Sequence, residues 1–317
     1  YMVTYSSLTL KDILNRSRVQ YADLPSLSFA GGKTITYNDL SIHITNTSGL
    51  LISLGIEKGD RVALLGENSP SWGIAYFAIA CIGAVVVPIL PDFSVAEVQR
   101  IIEHSGAKAI FVSSKLYQKI ENVSRVGAPD VILLNNFQVV MPGEKVEELA
   151  VDYTLPDPIA NIEFSGFYYP EPKEEDLLAI LYTSGTTGNP KGVMLTHKNI
   201  ISNCLSTFQI QNINSNDRLV SVLPLSHTYE CTIGFIMPLM KGASVYYLQK
   251  PPTAAVIIPA LQMIKPTMML VVPLVIEKIF RAKILPQLTS SKLKAKLYQN
   301  PFFRKLLHKV AARKLLK

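Results

Sequence analysis

The chain has 317 residues, 48% of them apolar and 17% charged, and this composition excludes intrinsic disorder, which requires low hydrophobicity and a high net charge. Three widely spaced cysteines give no disulfide framework, so we expect a reducing compartment. The formal net charge of +7 is uneven, because residues 241–317 carry 15 Lys and Arg against one acid, Glu277, whereas residues 1–240 are net acidic.

Helix-capping signals alternate with β-branched runs along the first part of the chain. Thr36 with Asp39 predicts a helix to about residue 54, and Ser94 with Glu97 predicts a second helix to about residue 104. Strands are predicted at 61–65, 107–112 and 130–134.

Residues 68–91 carry no charge over a length that could span a bilayer. Ser69 before Pro70 is typical of a helix N-cap followed by proline at the first helical position, and Gly83 is typical of a helix stop. We therefore predict a buried helix of about 13 residues and a strand at 84–88, with a membrane span as the alternative.

A proline-broken stretch at 135–176 is predicted to be a linker, and a second alternating run follows it. Strands alternating with helices predict an α/β fold with largely parallel sheets flanked by helices. We predict two α/β subdomains, residues 1–170 with the linker and residues 171–317. The second contains strands at 177–182, 192–195, 218–223, 243–248 and 268–272, and helices from Thr196 to about residue 210 and at 228–240.

The string YTSGTTGNPKG, residues 182–192, directly follows a predicted buried strand. Its glycines let backbone N–H groups approach an anion, its hydroxyls can donate to phosphate oxygens, and Lys191 adds a point charge. Ligands of α/β sheets bind beyond the carboxyl ends of strands, so the string predicts a phosphate-binding loop. It is not a Walker A loop, because Gly192 rather than Ser or Thr follows the lysine. The alternative is an ordinary Ser/Thr/Gly turn.

Every position of this string matches the signature Y-T-S-G-T-T-G-x-P-K-G, and the chain resembles the adenylate-forming superfamily of acyl-CoA synthetases, firefly luciferase and peptide-synthetase adenylation domains. NSPSW at 68–72 and GAVVVP at 83–88 extend the resemblance. Three further stretches are similar to strings of long-chain fatty acid–CoA ligases. They are LPLSHTYE at 223–230, KPT at 265–267, and the VP and EKI that follow KPT. The resemblance implies the N-terminal part of an adenylate-forming enzyme fold.

The resemblance implies a ligase that works in two steps. A fatty acid attacks the α-phosphate of ATP with Mg²⁺ present, and CoA then displaces AMP from the acyl adenylate. Lys191 and His227 would be catalytic, and the hydroxyl of Thr183 would be linked to Mg²⁺. The phosphates would be held by Thr183, Ser184, Gly185, Thr186, Thr187, Gly188 and Lys191.

The apolar stretch after His227 would line an acyl tunnel. Some relatives place a gating tryptophan four residues after the histidine, but this chain has Cys231 there, which argues against a tryptophan gate. The expected wall residues are Ile233, Gly234, Phe235 and Met237.

The later motifs of the superfamily have no match in this chain, so we expect an N-terminal portion that does not make acyl-CoA alone. Two alternatives stay open. One is an adenylating enzyme that loads an acyl carrier protein. The other is a non-catalytic module that binds a nucleotide or a membrane.

His227 and Glu230 could also be read as metal ligands, because they are three residues apart. No second His/Cys cluster accompanies them, so a polar pair at a helix start is favoured. The three cysteines have no nucleophile context and are expected to be buried.

The basic segment at residues 301–317 has apolar residues at helical spacing opposite its cations. The apolar stripe could pack against the rest of a longer protein, or the segment could dock peripherally on an anionic membrane. We expect no nucleic acid partner, since no binding signature accompanies the charge. The first 20 residues lack a signal-peptide pattern, so we expect a cytoplasmic protein, with any membrane contact on the cytoplasmic face.

Overall fold

The architecture is that of a computed structural model, which describes residues 7–121, 123, 129–141, 144, 146, 152–157, 171–183, 191–281, 285–291 and 298–300. The first part of the chain alternates helices and strands. Its elements are α1 (Leu10–Tyr21), β1 (Pro25–Phe29), β2 (Ile35–Thr36), α2 (Tyr37–Ser53), β3 (Arg61–Leu65), α3 (Pro70–Cys81), β4 (Val85–Ile89), α4 (Val95–Ser105), β5 (Ala109–Val112), a 3-10 helix (Ser114–Lys119) and β6 (Asp130–Leu133).

The second part continues the alternation. Thr196 forms a capping box with Asn199, so the helix predicted there is confirmed, although it ends at Thr207 rather than near residue 210. The elements are β7 (Leu177–Thr183), β8 (Lys191–Thr196), α5 (His197–Thr207), β9 (Arg218–Ser221), a π-helix (Glu230–Ile236), α6 (Met237–Leu239), β10 (Ser244–Tyr247), α7 (Ala254–Ile264), α8 (Pro273–Ile279) and α9 (Leu285–Leu288).

Among the described residues the strands form two sheets, of order β6-β5-β3-β4-β7-β8 and β2-β1-β10-β9. Neighbouring strands run parallel except for the pairs β7–β8 and β1–β2. The predicted α/β fold with largely parallel sheets is therefore confirmed. Each sheet takes strands from both sides of residue 170, and the division into units 1–170 and 171–317 stays a prediction.

Local capping determines where the first helices begin. The capping boxes at Thr36 and Ser94 are both present, which confirms α2 and α4. The hydroxyl of Ser69 accepts from the backbone N–H of Trp72 at 3.1 Å, and Pro70 is the first residue of α3. The uncharged run 68–91 thus forms a buried helix and a strand, as predicted. No described helix is both long enough and apolar enough to cross a bilayer.

Helix α3 lies at the centre of the larger core cluster, and every residue from 70 to 80 is buried. Phe235 of the π-helix packs edge-on against Trp72, Tyr76 and Phe77, with ring centroids 5.5–6.3 Å apart. Gly73 makes this approach feasible, because a Cβ there would lie 2.9 Å from the Phe235 ring. The packing joins the segment after His227 to the first half of the chain.

Two predicted elements differ from the structure. Residues 268–272 do not form a strand, and only an isolated bridge joins Met268 to Leu219 of β9. The reason is that β9 ends at Ser221. Beyond it, the carbonyl oxygen of Leu223 and the N–H of Leu225 are hydrogen-bonded to the Asn68 side chain instead of to a neighbouring strand. The helix predicted at 228–240 is present, but its central part is a π-helix.

Candidate functional site

Strands β7 and β8 form an antiparallel pair, and the predicted phosphate loop is the stretch of sequence from the end of β7 to the start of β8. Thr183, the last residue of β7, pairs with Lys191, the first residue of β8, and both are exposed. Side chains of directly opposed residues lie on the same face, with Cβ atoms about 4.5–5.5 Å apart. The hydroxyl and the ammonium group therefore flank the mouth of the turn together. The other predicted phosphate ligands, Ser184, Gly185, Thr186, Thr187 and Gly188, lie outside the described residues.

Alternation along β7 determines the face on which Thr183 lies. Tyr182 packs in the cluster beneath α4, so Ala179 and Thr183 lie on the opposite face of the sheet. Ala179 belongs to the core cluster that also contains Leu225, two residues before His227. The end of the hairpin and the segment around His227 thus belong to the same side of the six-stranded sheet.

Two signature residues stabilise the hairpin rather than facing a ligand. The Tyr182 hydroxyl is hydrogen-bonded to Nδ1 of His104 at 2.7 Å, with the two rings edge-on. Gly192 lies opposite Tyr182, and a Cβ there would be only 2.7 Å from Cγ2 of Ile180. The tyrosine therefore joins β7 to α4, and the glycine allows β8 to lie close to β7. No sequence signal pointed to His104.

His227 is exposed, and its position is determined by its backbone. Its N–H donates to the carbonyl oxygen of Pro224 at 3.0 Å, and its own carbonyl oxygen accepts from the N–H of Cys231 at 2.9 Å. Within the described part of the chain its imidazole makes no hydrogen bond. A ring held in this way is free to contact a bound substrate.

Glu230 begins the π-helix and is 1% exposed, unlike His227. Its Oε1 accepts a hydrogen bond from the Ser221 hydroxyl at 2.6 Å. Burial raises the pKa of its carboxyl to about 7, although the Ser221 hydrogen bond acts in the opposite direction. Among the described residues, no group of three or more His, Cys, Asp or Glu side chains is placed to hold a metal ion.

The residues predicted to wall an acyl tunnel follow Glu230. Phe235 and Met237 are fully buried in the core, and Ile233 is only partly buried. Cys231 is also buried, which raises the pKa of its thiol to about 12. Of the side chains predicted for the wall, Ile233 is therefore the one that remains accessible.

Comparison with known families gives one match that spans most of the chain. The sequence model of a family described as AMP-binding enzyme matches residues 14–311.

Curated relatives include ligases that use different acids. A long-chain-fatty-acid–CoA ligase of Bacillus subtilis (strain 168) is 27% identical over 263 residues, which are 76% of this chain and 46% of that protein. The 4-coumarate–CoA ligase CCL1 of Humulus lupulus is 30% identical over 245 residues, which are 73% of this chain and 41% of that protein. The chain thus spans less than half the length of these relatives.

Solved structures share the fold. The N-terminal domain of FACL13 from Mycobacterium tuberculosis superposes with a TM-score of 0.68 at 25% identity, over 87% of this chain and 65% of that one. ATP-bound MatB from Rhodopseudomonas palustris superposes with a TM-score of 0.70 at 23% identity, over 87% of this chain and 52% of that one.

Proposed function

The chain belongs to the AMP-binding enzyme family, and on that premise we propose that it activates a carboxylic acid with ATP and transfers the acyl group to CoA. The observation that carries this proposal is the β7–β8 hairpin. The phosphate-loop string runs from the end of β7 to the start of β8, and Thr183 and Lys191 are paired at these two strand ends.

In the first step a carboxylate oxygen of the acid attacks the α-phosphorus of ATP, the bond to the bridging oxygen breaks, and pyrophosphate leaves. Negative charge grows on the leaving pyrophosphate. We assign to the ammonium group of Lys191, at the start of β8, the role of offsetting that charge, which would lower the barrier.

The donor set at the hairpin also fits Mg²⁺. The hydroxyl of Thr183 is exposed and has no hydrogen-bond partner within the described residues, so it is available as an oxygen ligand beside phosphate oxygens and water. When bound, the ion would neutralise phosphate charge. Lys191 would then contribute its charge on the other side of the same turn.

We take a long-chain fatty acid as the substrate. The string LPLSHTYE and the similarity to the Bacillus ligase support this choice. His227, exposed at the start of a helix, would lie where the acid and the adenylate meet. The 4-coumarate ligase is a reason to test aromatic acids as well.

The test is ATP–pyrophosphate exchange by the protein expressed from its full gene, with palmitate, decanoate, 4-coumarate and acetate compared. We expect exchange that depends on added acid and is fastest with palmitate. Exchange that is fastest with 4-coumarate would overturn the substrate, and exchange with none of the acids would contradict the activity. CoA and an acyl carrier protein, offered in parallel, identify the acceptor.

A further inference from the structure

Asn68 lies in the short loop between β3 and α3, far in sequence from the segment that it contacts. Its Nδ2 donates to the Ser221 hydroxyl at 2.9 Å and to the Leu223 carbonyl oxygen at 2.6 Å. Its Oδ1 accepts from the N–H of Leu225 at 2.8 Å. Both amide hydrogens are thus used, and three bonds connect one side chain to a five-residue stretch.

The loop that carries Asn68 is itself firmly held. Gly66 packs against the buried Leu134, because a Cβ there would lie 2.3 Å from Cδ1 of Leu134, which would have to shift. On the other side, Ser69 caps the fully buried helix α3. Asn68 therefore provides a fixed point between a strand and a helix of the core.

The contacts continue into the π-helix. The Ser221 hydroxyl accepts from Asn68 and donates its own proton to Oε1 of Glu230 at 2.6 Å. Glu230 is 1% exposed, and its Oε2 has no partner among the described residues. The chain Asn68–Ser221–Glu230 therefore holds both ends of the segment 221–230.

His227 lies inside that segment, and no described side chain orients its imidazole. Its position follows from the turn at Pro224 and from the first hydrogen bond of the helix, at Cys231. We propose that Asn68 and Glu230 are positioning residues, which hold the backbone of residues 223–227 and thereby place His227 for the adenylation step. This inference rests on the proposed function.

A positioning role predicts a particular pattern of loss. Residues at the reacting centre depend on placement within about 1 Å, and a displacement of that size can slow a reaction by about 100-fold. ATP is expected to be held by the hairpin at Thr183 and Lys191, which Asn68 does not contact. We call the hydrogen bonds that Asn68 makes to residues 221–225, together with the Ser221–Glu230 bond, the clamp. Disturbing the clamp should therefore lower kcat and leave the KM for ATP nearly unchanged.

Amide hydrogen exchange of the 317-residue chain tests the clamp without any assay of activity. Asn68→Ala removes the acceptor for the Leu225 N–H, so that amide should exchange at least about 10-fold faster. Asn68→Asp keeps an acceptor oxygen of the same size, so Leu225 should stay protected. The matched control is Asn203→Ala, which removes an exposed amide whose one hydrogen bond to a described residue is to the carbonyl oxygen of Asn199. Amides of Val62 and Val86, in the six-stranded sheet, report whether the variants stay folded.

Exchange of ATP and pyrophosphate by the protein from its full gene tests the positioning. Asn68→Ala and Asn68→Asp both lose the donors to Ser221 and Leu223, so kcat should fall about 10- to 100-fold with the KM for ATP within about twofold. Glu230→Gln keeps an acceptor for Ser221 and should stay within about threefold of wild type, whereas Glu230→Leu should fall as the Asn68 variants do.

An unchanged Leu225 amide in Asn68→Ala would overturn the clamp. If the Leu225 amide exchanges faster in Asn68→Ala but kcat does not fall, the positioning role is wrong. If the wild-type protein exchanges with no acid, it is the proposed function that fails, and amide exchange still decides whether the clamp exists.

Discussion

Thr183 and Lys191 are directly opposed across the β7–β8 ladder, although seven residues separate them in the chain. The pairing explains why a hydroxyl and a lysine eight positions apart can serve one ligand. It also places both residues at the carboxyl end of β7, the end of a strand beyond which ligands of α/β sheets bind.

Replacing Lys191 with alanine should slow adenylation. The variant loses the charge that offsets the leaving pyrophosphate, and we expect a loss of about 2–4 kcal/mol, or about 30- to 1,000-fold in the rate of ATP–pyrophosphate exchange. Lys198→Ala is the matched control, because Lys198 is an exposed lysine paired with Glu174 and Glu175. Wild-type exchange in Lys191→Ala would contradict the role of the lysine.

Glu230→Gln should change how stability depends on pH. The folded-state pKa of Glu230 is raised from the ordinary 4.5 to about 7, so the wild type loses stability as the pH rises from 4.5 to about 7, where the unfolded chain has released a proton that the folded chain still holds. The variant has no such penalty. Its free energy of unfolding relative to wild type should rise by about 2–3 kcal/mol between pH 5 and pH 8. Urea unfolding at both pH values measures the difference, and a constant difference would show that Glu230 is not buried as described.

His197 should remain neutral in the folded chain at pH 5.5. It is fully buried, its Nδ1 accepts from the N–H of Leu10 at 3.2 Å, and burial lowers its pKa from 6.5 to about 4, although Asp176 raises it. As the pH falls, the imidazole binds a proton in the unfolded chain before it does so in the folded chain. The free energy of unfolding therefore decreases by about 3 kcal/mol in total as the pH drops from 6.5 to 4. NMR titration of the ring decides the matter, and a midpoint near 6.5 would refute the prediction.

We propose that residues 301–317, which lie outside the described residues, dock on anionic membranes. Each cation near such a surface contributes about 1 kcal/mol. Protein from the full gene should co-sediment with anionic vesicles and not with neutral ones. Replacing Arg304, Lys305, Lys309 and Arg313 together with serine should abolish binding. Equal binding to both vesicle types would instead favour packing of the apolar stripe within the protein.

Elements with short-range signals were predictable from the sequence. The capping boxes at Thr36 and Ser94 are encoded within four residues, and the structure contains both. The phosphate loop is likewise predicted from one contiguous string, and the structure shows only the pairing of its ends, Thr183 with Lys191. Its central residues lie outside the described part of the chain, so their contacts with phosphate stay a prediction.

Features that depend on distant residues were not predictable. Asn68 and Leu225 are 157 residues apart, and nothing near either one indicates the other. The residues of the π-helix are apolar like those of a buried α-helix, so the sequence pattern does not distinguish the two forms. In the structure its Phe235 packs against Phe77 of α3, which is distant in sequence. The strand expected at 268–272 is absent because an apolar run needs a partner strand, and the backbone beyond β9 is hydrogen-bonded to the Asn68 side chain instead.

The central claim is that a carboxylate oxygen attacks the α-phosphorus of ATP. Palmitate labelled with ¹⁸O in its carboxylate, incubated with ATP, CoA, Mg²⁺ and the protein from its full gene, tests it most directly by mass spectrometry of the nucleotide product. We expect AMP that carries one ¹⁸O atom from the acid, because the bond between carbonyl carbon and oxygen breaks when CoA takes the acyl group. Unlabelled nucleotide, or label recovered in inorganic phosphate, would contradict it.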